Sequence, residues 1–291
     1  MLRFPRALLA AVLLCFWGLA GAALAQPPVW IVRDHGSTLV LFGSVHLLPR
    51  GLDWEPDRLK AAVAKADELW FEIPLDDASS LAATRAALAK GMQPKGSTLR
   101  GQLSPAERAK LEHVASLYGV SAEGLDQLKP WLAEVTLSLA AYRQAGAVQD
   151  AGVERALSAL APPSLPRLAF ETPEEQIGYL SGAPAKAQIA SLVETLGELE
   201  EGRDSFARLV SAWMAGDTQA IQAEAVDPLR HDASEVYRLL VVDRNKRWVR
   251  TMLGRLKRPG VRVMVVGVGH LVGPDSVPAM LRARGLKVEG P

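Results

Sequence analysis

The sequence predicts an α/β fold in which paired βαβ units form a mixed, largely parallel sheet, with a helical insertion between two strand-bearing ends. Three observations carry that expectation. Residues Val29 to Ile73 read as strand, strand, loop, helix, strand; Val261 to Val266 is an unbroken, β-branched-rich run near the other end; and helical spacing and capping signals dominate the middle. With 291 residues, 49% hydrophobic and 22% charged, the chain can bury a substantial core.

Residues 1–25, MLRFPRALLAAVLLCFWGLAGAALA, stand apart from the fold. Arg3 and Arg6 precede an apolar run that ends in small residues at Ala23-Leu24-Ala25, the pattern of a secretory signal peptide cleaved after Ala25. An uncleaved membrane anchor is the weaker alternative, because the run is short for a spanning helix. The lone Cys15 lies inside this segment, so the mature chain, residues 26–291, is expected to have no thiol. That rules out a cysteine nucleophile, a thiolate metal site and a disulfide scaffold there. The expected location is the periplasm or the exterior. A formal net charge of +1 argues against a nucleic-acid partner, which needs concentrated Lys and Arg to neutralise phosphates.

Val29 to Arg33 and Thr38 to Phe42 flank the turn-forming cluster Asp34-His35-Gly36-Ser37 and read as a hairpin. Pro56 to Ala66 carries helical spacing at Leu59, Val63 and Ala66, and Glu68 to Ile73 is the next strand. Strand, helix, strand in this order predicts a right-handed crossover with parallel pairing. Helices are expected over Leu81–Lys90, Pro105–Tyr118, Pro130–Gln144 and Ala185–Glu200, so the helical insertion spans about 77–160 and 185–258. Ser104-Pro105-Ala106-Glu107 and Thr172-Pro173-Glu174-Glu175 are capping boxes with proline at the first helical position. Arg167 to Glu171 is a short strand ending in an acid; after Val261–Val266 come a helix, Ser276–Arg284, and a last strand, Leu286–Glu289.

Two of the five histidines share one setting. In TLVLFGSVH and RVMVVGVGH an apolar strand ends in glycine, and His46 or His270 follows three residues later. Strand-to-loop transitions at carboxyl ends face a crevice in such sheets, so two imidazoles there could hold one metal ion or serve as base and acid. The alternative for each is a polar loop histidine bonded to backbone. His35, in the hairpin turn, and His113 and His231, in polar helical contexts, are read as structural.

Carboxylates end two other strands. Glu72 sits between Leu69-Trp70-Phe71 and Ile73-Pro74, and Glu171 follows Leu168-Ala169-Phe170. Each is costly to bury without a cation, unless it is an outward residue of an edge strand. Val236–Leu256 reads as a helix whose apolar stripe, Val241, Trp248, Met252 and Leu256, takes in Asn245 with Arg244 beside it. Arg244 would pair with a site carboxylate or with substrate oxygens, or else clamp another helix. Gly267-Val268-Gly269 with Gly273 is a partial dinucleotide fingerprint, but the few residues that follow leave no room for the βαβ unit it requires.

Gly43-Ser44-Val45-His46, Glu72 in WFEI, Gly152-Val153-Glu154, FETPEEQ (170–176), AWMAGD (212–217), DRNKRW (243–248) and VGVGHLVGPDSVPAMLRARGLKVE (266–289) together resemble the TraB/GumN family, in order across nearly all of the mature chain. The resemblance implies membership of a wider group of TraB, Tiki, erythromycin-esterase-like and ChaN-like proteins, with paired βαβ units and a helical insertion. In the Tiki branch the two Gly-x-x-His motifs and an acid are associated with metal-dependent proteolysis that favours manganese or cobalt over zinc. That carries onto His46, Glu72 and His270 as metal ligands. Arg244 and Asn245 match the family's Asp-Arg-Asn segment, and Glu171 its Leu-Glu-Thr segment, here Phe-Glu-Thr. Glu154 stands where the family often has Gly-x-Asp and receives no role.

The expected function is therefore that of an exported, metal-dependent hydrolase acting on peptide bonds. Glu171 would be the general base, and Arg244 and Asn245 the groups that steady the oxyanion or the substrate. The alternative is a non-catalytic exported protein that captures heme, a metal or a small molecule in the same cavity, as the ChaN-like relatives associate with heme.

Overall fold

The computed structural model describes residues 26–201 and 205–291; the expected signal peptide and Cys15 lie outside the described residues. Strands β1 (Val29–Asp34) and β2 (Ser37–Ser44) form the expected hairpin, closed by a two-residue turn in which His35 and Gly36 have φ of 43° and 79°. Positive φ at both central residues matches the right-handed twist of the strands. After the short strand β3 (Leu48–Pro49), α1 (Asp57–Val63) and β4 (Glu68–Phe71) follow. Then come α2 (Asp77–Gly91), α3 (Pro105–Leu117), α4 (Ala122–Asp126), α5 (Pro130–Gln144), β5 (Ala147–Val148), which pairs with β3, and α6 (Val153–Leu160). Strand β6 (Arg167–Ala169) precedes α7 (Pro173–Ser181), α8 (Ala185–Glu201), α9 (Ser205–Ala215), α10 (Thr218–Ala225), α11 (Asp227–Asp232), α12 (Ser234–Tyr237) and α13 (Asp243–Leu256). The chain closes with β7 (Gly260–Gly267), α14 (Val277–Arg282) and β8 (Val288–Glu289).

The main sheet is mixed and largely parallel, in the order β6-β4-β7-β2-β1-β8. Its first four strands are parallel neighbours, and β1 runs antiparallel to both β2 and β8. One pairing differs from the expected crossover: β2 and β4 run parallel but do not touch, because β7 lies between them. The physical reason is apolarity. Val263, Met264, Val265 and Val266 are all 0% exposed, and a strand buried on both faces belongs at the centre of the sheet. Each such side chain contributes roughly 1.5–3 kcal/mol by leaving water.

Both capping boxes form. Ser104 N–H donates to Glu107 (2.7 Å) and Thr172 N–H to Glu175 (2.8 Å), each hydroxyl accepting in return. A second apolar cluster, with Leu111, Val114, Leu137, Leu192 and Leu196 among its members, joins α3, α5 and α8. The helix expected over Val236–Leu256 is instead divided into α12, a π turn at Arg238–Val242 and α13. A π turn accommodates one extra residue and recurs at functional positions; directly after it, Arg244 and Asn245 are both buried, at 6% and 0% exposure. Among the described residues no helix is long and apolar enough to cross a membrane.

Where β2 ends, Gly43 lets the segment after β7 pass close by: a Cβ there would lie 2.7 Å from Val268 Cγ2. The Gly43 carbonyl is held by Trp213 Nε1–H at 2.9 Å. Gly43→Ala is expected to destabilise the fold by about 1–3 kcal/mol through overpacking, read as a lower midpoint in urea.

Candidate active site

All four parallel strands deliver a functional side chain just beyond their carboxyl ends. Glu171 follows β6, Glu72 follows β4, His270 follows β7 and His46 follows β2, in that spatial order across the sheet. The register of β2 on β7 sets Ser44 against Gly267, so the two Gly-x-x-His segments leave the same edge side by side. Gly267 is the point of convergence. A Cβ built there would stand 3.2 Å from Glu72 Oε1, 3.6 Å from His270 Cδ2 and 3.9 Å from His46 Nε2, so the absent side chain leaves a cradle that these three groups share.

Arg244, from the first turn of α13, ties the group together. Its Nη2 donates to Glu72 Oε2 at 2.5 Å, its Nε and Nη2 donate to Glu171 at 3.0–3.1 Å, and its Nη1 meets His270 Nε2 at 3.1 Å. The guanidinium also lies over the Trp248 ring, 4.7 Å from its centroid, and that ring packs 4.5 Å from His270. Glu72 accepts further bonds from Gly267 N–H (2.7 Å) and Gln176 Nε2 (3.0 Å). Burial alone would raise the Glu72 carboxyl, but Arg244, His270, His46 and the Gly267 amide hold it well below the usual carboxylate range.

Asn245 fixes the tautomer of His270. Its Nδ2 donates to the carbonyls of Asp275 (2.8 Å) and His270 (3.4 Å), which turns Oδ1 toward His270 Nδ1 at 2.7 Å. Nδ1 therefore carries the proton and Nε2 the lone pair. Burial and the neighbouring Arg244 push the His270 pKa down to about 3, so the ring is neutral. His46 is its counterpart in a wetter place: its side chain is 59% exposed to the cavity, and its Nδ1 lies 2.5 Å from the buried Glu154. Glu154 is the main cause that raises its pKa, to about 9.

The expected residues are thus distributed by task. His46, Glu72, His270 and Arg244 line a cavity of about 530 Å³, contiguous with a second of about 520 Å³ that shares His46 and Glu72. Glu171 lies behind them: its side chain is 0% exposed, and its oxygens are engaged by Arg244, Trp248 Nε1–H (2.9 Å) and Arg247 (3.1 Å). In that position it anchors Arg244, which differs from the general-base role expected of it. Asn245 likewise acts through His270, and His35, His113 and His231 do not line the cavity. Sequence reasoning missed three contributors: Glu154 on His46, Gln176 on Glu72 and Trp213 on Gly43. Each lies within a motif already singled out, and none carries a local signal of what it faces.

A divalent ion is what the resemblance implies, and the donors suit one. Both imidazoles have Nδ1 tied to a side-chain oxygen, as metal-bound histidines commonly do, and Glu72 Oε1 lies 3.9 Å from His270 Nε2; a cation would have to displace Arg244 from that Nε2 and a proton from His46. Among the described residues no three His, Cys, Asp or Glu side chains stand gathered as a finished cage. The Arg244 guanidinium rests on His270 and Glu72, two of the donors a cation would use.

Signs follow from these shifts. The upward shift of His46 contributes stability present in full below about pH 6.5 and lost as pH rises through about 9. The downward shift of His270 has the opposite sense: the unfolded chain binds a proton that the folded ring refuses, so stability falls as pH drops from about 6.5 toward 3. Glu154→Gln should return the His46 titration of metal-stripped protein from about 9 toward its ordinary 6.5, followed by NMR of the ring protons. Gly267→Ala should keep the melting temperature within a few degrees while weakening divalent-ion binding at least ~10-fold by calorimetry, because the added methyl fills the cradle.

A model of the TraB/PrgY/gumN family matches residues 28–290. The uncharacterized protein YbaP of Escherichia coli (strain K12) is 25% identical over 265 residues, covering 91% of this chain and 95% of its own. YbaP of Shigella flexneri is 25% identical over 243 residues, covering 83% and 87%. No solved structure matches. With almost the whole described chain inside the family's span, and the motifs that suggested it gathered at one end of the sheet, the protein belongs to the TraB/PrgY/gumN family.

Proposed function

We infer that this protein is an exported, metal-dependent hydrolase that cleaves peptide bonds. The observation that carries the reading is the Gly267 cradle, where the His46 Nε2, the edge of the His270 ring and the Glu72 carboxylate, each following a different parallel strand, meet around one point on a large cavity. His46, Glu72 and His270 would hold the ion; nitrogen and carboxylate donors without thiolate suit manganese or cobalt as well as zinc, and the Tiki likeness favours the first two. Such an ion supplies Lewis acidity and a lowered pKa for water.

The chain's own groups do the rest. Arg244 projects a permanent positive charge into the cavity, where it stabilises negative charge developing on a substrate carbonyl oxygen. Glu171 and Trp248 keep that charge aimed, which limits reorganisation during reaction. Asn245 keeps the His270 lone pair facing inward, and Glu154 does the same for His46. Gln176 and the Gly267 amide fix the carboxylate plane of Glu72. Apolar residues, among them Val135, Leu139, Leu180 and Leu209, line the remaining wall and exclude water from a bound peptide.

Apolar walls of this kind also favour a second reading, a non-catalytic exported protein that captures heme or another ligand at the same histidines. Elemental analysis of protein purified from its own compartment, with peptide cleavage measured on the same sample, separates the two. Wild type should carry divalent metal and cleave peptides; His46→Ala and His270→Ala should each lose the metal and at least ~100-fold of the cleavage. Uptake at His46 displaces its proton, so metal affinity should climb as pH rises toward about 9. Wild-type metal content and cleavage in either variant removes the hydrolase reading. A Soret band on heme addition that shifts in His270→Ala, without metal-dependent cleavage, replaces it with ligand capture.

A further inference from the structure

One face of α5, with Val135 and Leu139 among its residues, forms a wall of the cavity that holds His46, Glu72, Arg244 and His270. Glu134 is the one acid that α5 contributes to this wall, beside Ser138 and Tyr142. Its Oε1 accepts from Ser191 Oγ (2.9 Å) and Thr195 Oγ1 (3.1 Å), both on α8, and among the described residues nothing bonds Oε2 and no Lys or Arg pairs with it. Burial pushes its carboxyl up to about 7, the two hydroxyl bonds oppose this, and Glu198 of α8, another acid, adds to it. Glu134, Glu194, Glu198 and Glu224 also line an adjoining cavity of about 280 Å³, where Arg208 engages Glu224. The cavity therefore has two polar ends: the Arg244–Glu72 ion pair at the strand ends, and on the α5 wall an acid with no cationic partner among the described residues.

We propose that Glu134 sets the substrate class of this cavity by binding a primary ammonium group, carried by a lysine side chain or a peptide's free α-amine, while the scissile carbonyl lies at the Gly267 cradle. Placing the carbonyl there rests on the hydrolytic reading; recognition of the ammonium does not. Glu134 and Leu139 both lie on α5 and line this cavity, and Leu139 also lines the cavity of about 520 Å³ that shares His46 and Glu72. Hydroxyls already occupy Oε1, so the remaining oxygen presents a single acceptor, which suits a compact ammonium better than the two-pronged fork of a guanidinium. Between the two poles, apolar walls accommodate the stem and flanking aliphatic groups.

Equilibrium binding to the purified protein, by isothermal calorimetry, tests this with three peptides: Nα-acetyl-Leu-Leu-Lys amide, its norleucine isostere, and Leu-Leu-norleucine amide with a free α-amine. Wild type should bind at least one ammonium-bearing peptide ten-fold or more tightly than the acetylated norleucine peptide, and the peptide that gains identifies the source of the ammonium. Glu134→Gln should reduce that preference to within two-fold while leaving affinity for the norleucine isostere unchanged, which also reports an intact cavity. Glu134→Asp, which retains the charge, should recover part of the preference. Equal binding of all three peptides to wild type, no measurable binding of any, or a preference that survives Glu134→Gln overturns the proposal. Cleavage is followed on the same samples by mass spectrometry: a Glu134-dependent preference without cleavage sinks the hydrolytic reading alone, and cleavage without a preference sinks this proposal alone.

Discussion

A single guanidinium in a nearly dry setting organises this molecule's functional end. Arg244 bonds Glu72 and Glu171, the acids that follow two neighbouring strands, and touches His270, which follows a third. Removing an ion from water costs several kcal/mol, so neither the arginine nor its acids would be stable there alone. Together they compensate one another, and Trp248 adds a π face against the cation. The charge that makes these acids tolerable also lines the cavity. Structural and chemical demands therefore fall on one side chain, and the π turn ahead of α13 leads directly into it.

The parallel sheet supplies the second constraint. Four adjacent parallel strands end at one edge, so any residue placed just past a carboxyl end enters the same crevice. β7, apolar through its buried length, occupies the centre and brings the C-terminal histidine between residues contributed by β2 and β4. A glycine at the end of β7 keeps the meeting point open. The helices that follow β4 and β6 then wall the crevice with α5, α7 and α13, each adding a polar group that a sheet alone could not provide: Glu134, Gln176 and Arg244.

The two histidines show how one motif yields two chemical states. His270 is buried beside a fixed cation and stays neutral; His46 leans on a carboxylate, with its ring exposed, and holds its proton to higher pH. Their Nδ1 partners differ accordingly, an amide oxygen for one and a carboxylate for the other. Near-identical spacing in sequence thus gives unequal basicity, set by what each ring leans on.

Much was legible in the chain itself. Strand periodicity, the Asp-His-Gly-Ser turn and the two capping boxes are local signals, readable because their physics extends over only a few residues. The likeness of His46 to His270, and the acids that close short apolar strands, singled out four strand ends that lie at one edge of the sheet, because a glycine or a charge after a buried strand has few explanations. Other features belong to tertiary structure alone. Insertion of β7 between β2 and β4, the pairing of Glu154 with His46 and the withdrawal of Glu171 behind Arg244 join segments more than a hundred residues apart or depend on which face of a helix meets the sheet. No short-range pattern encodes such choices, since they minimise the cost of burying charge and backbone over the whole assembled sheet at once.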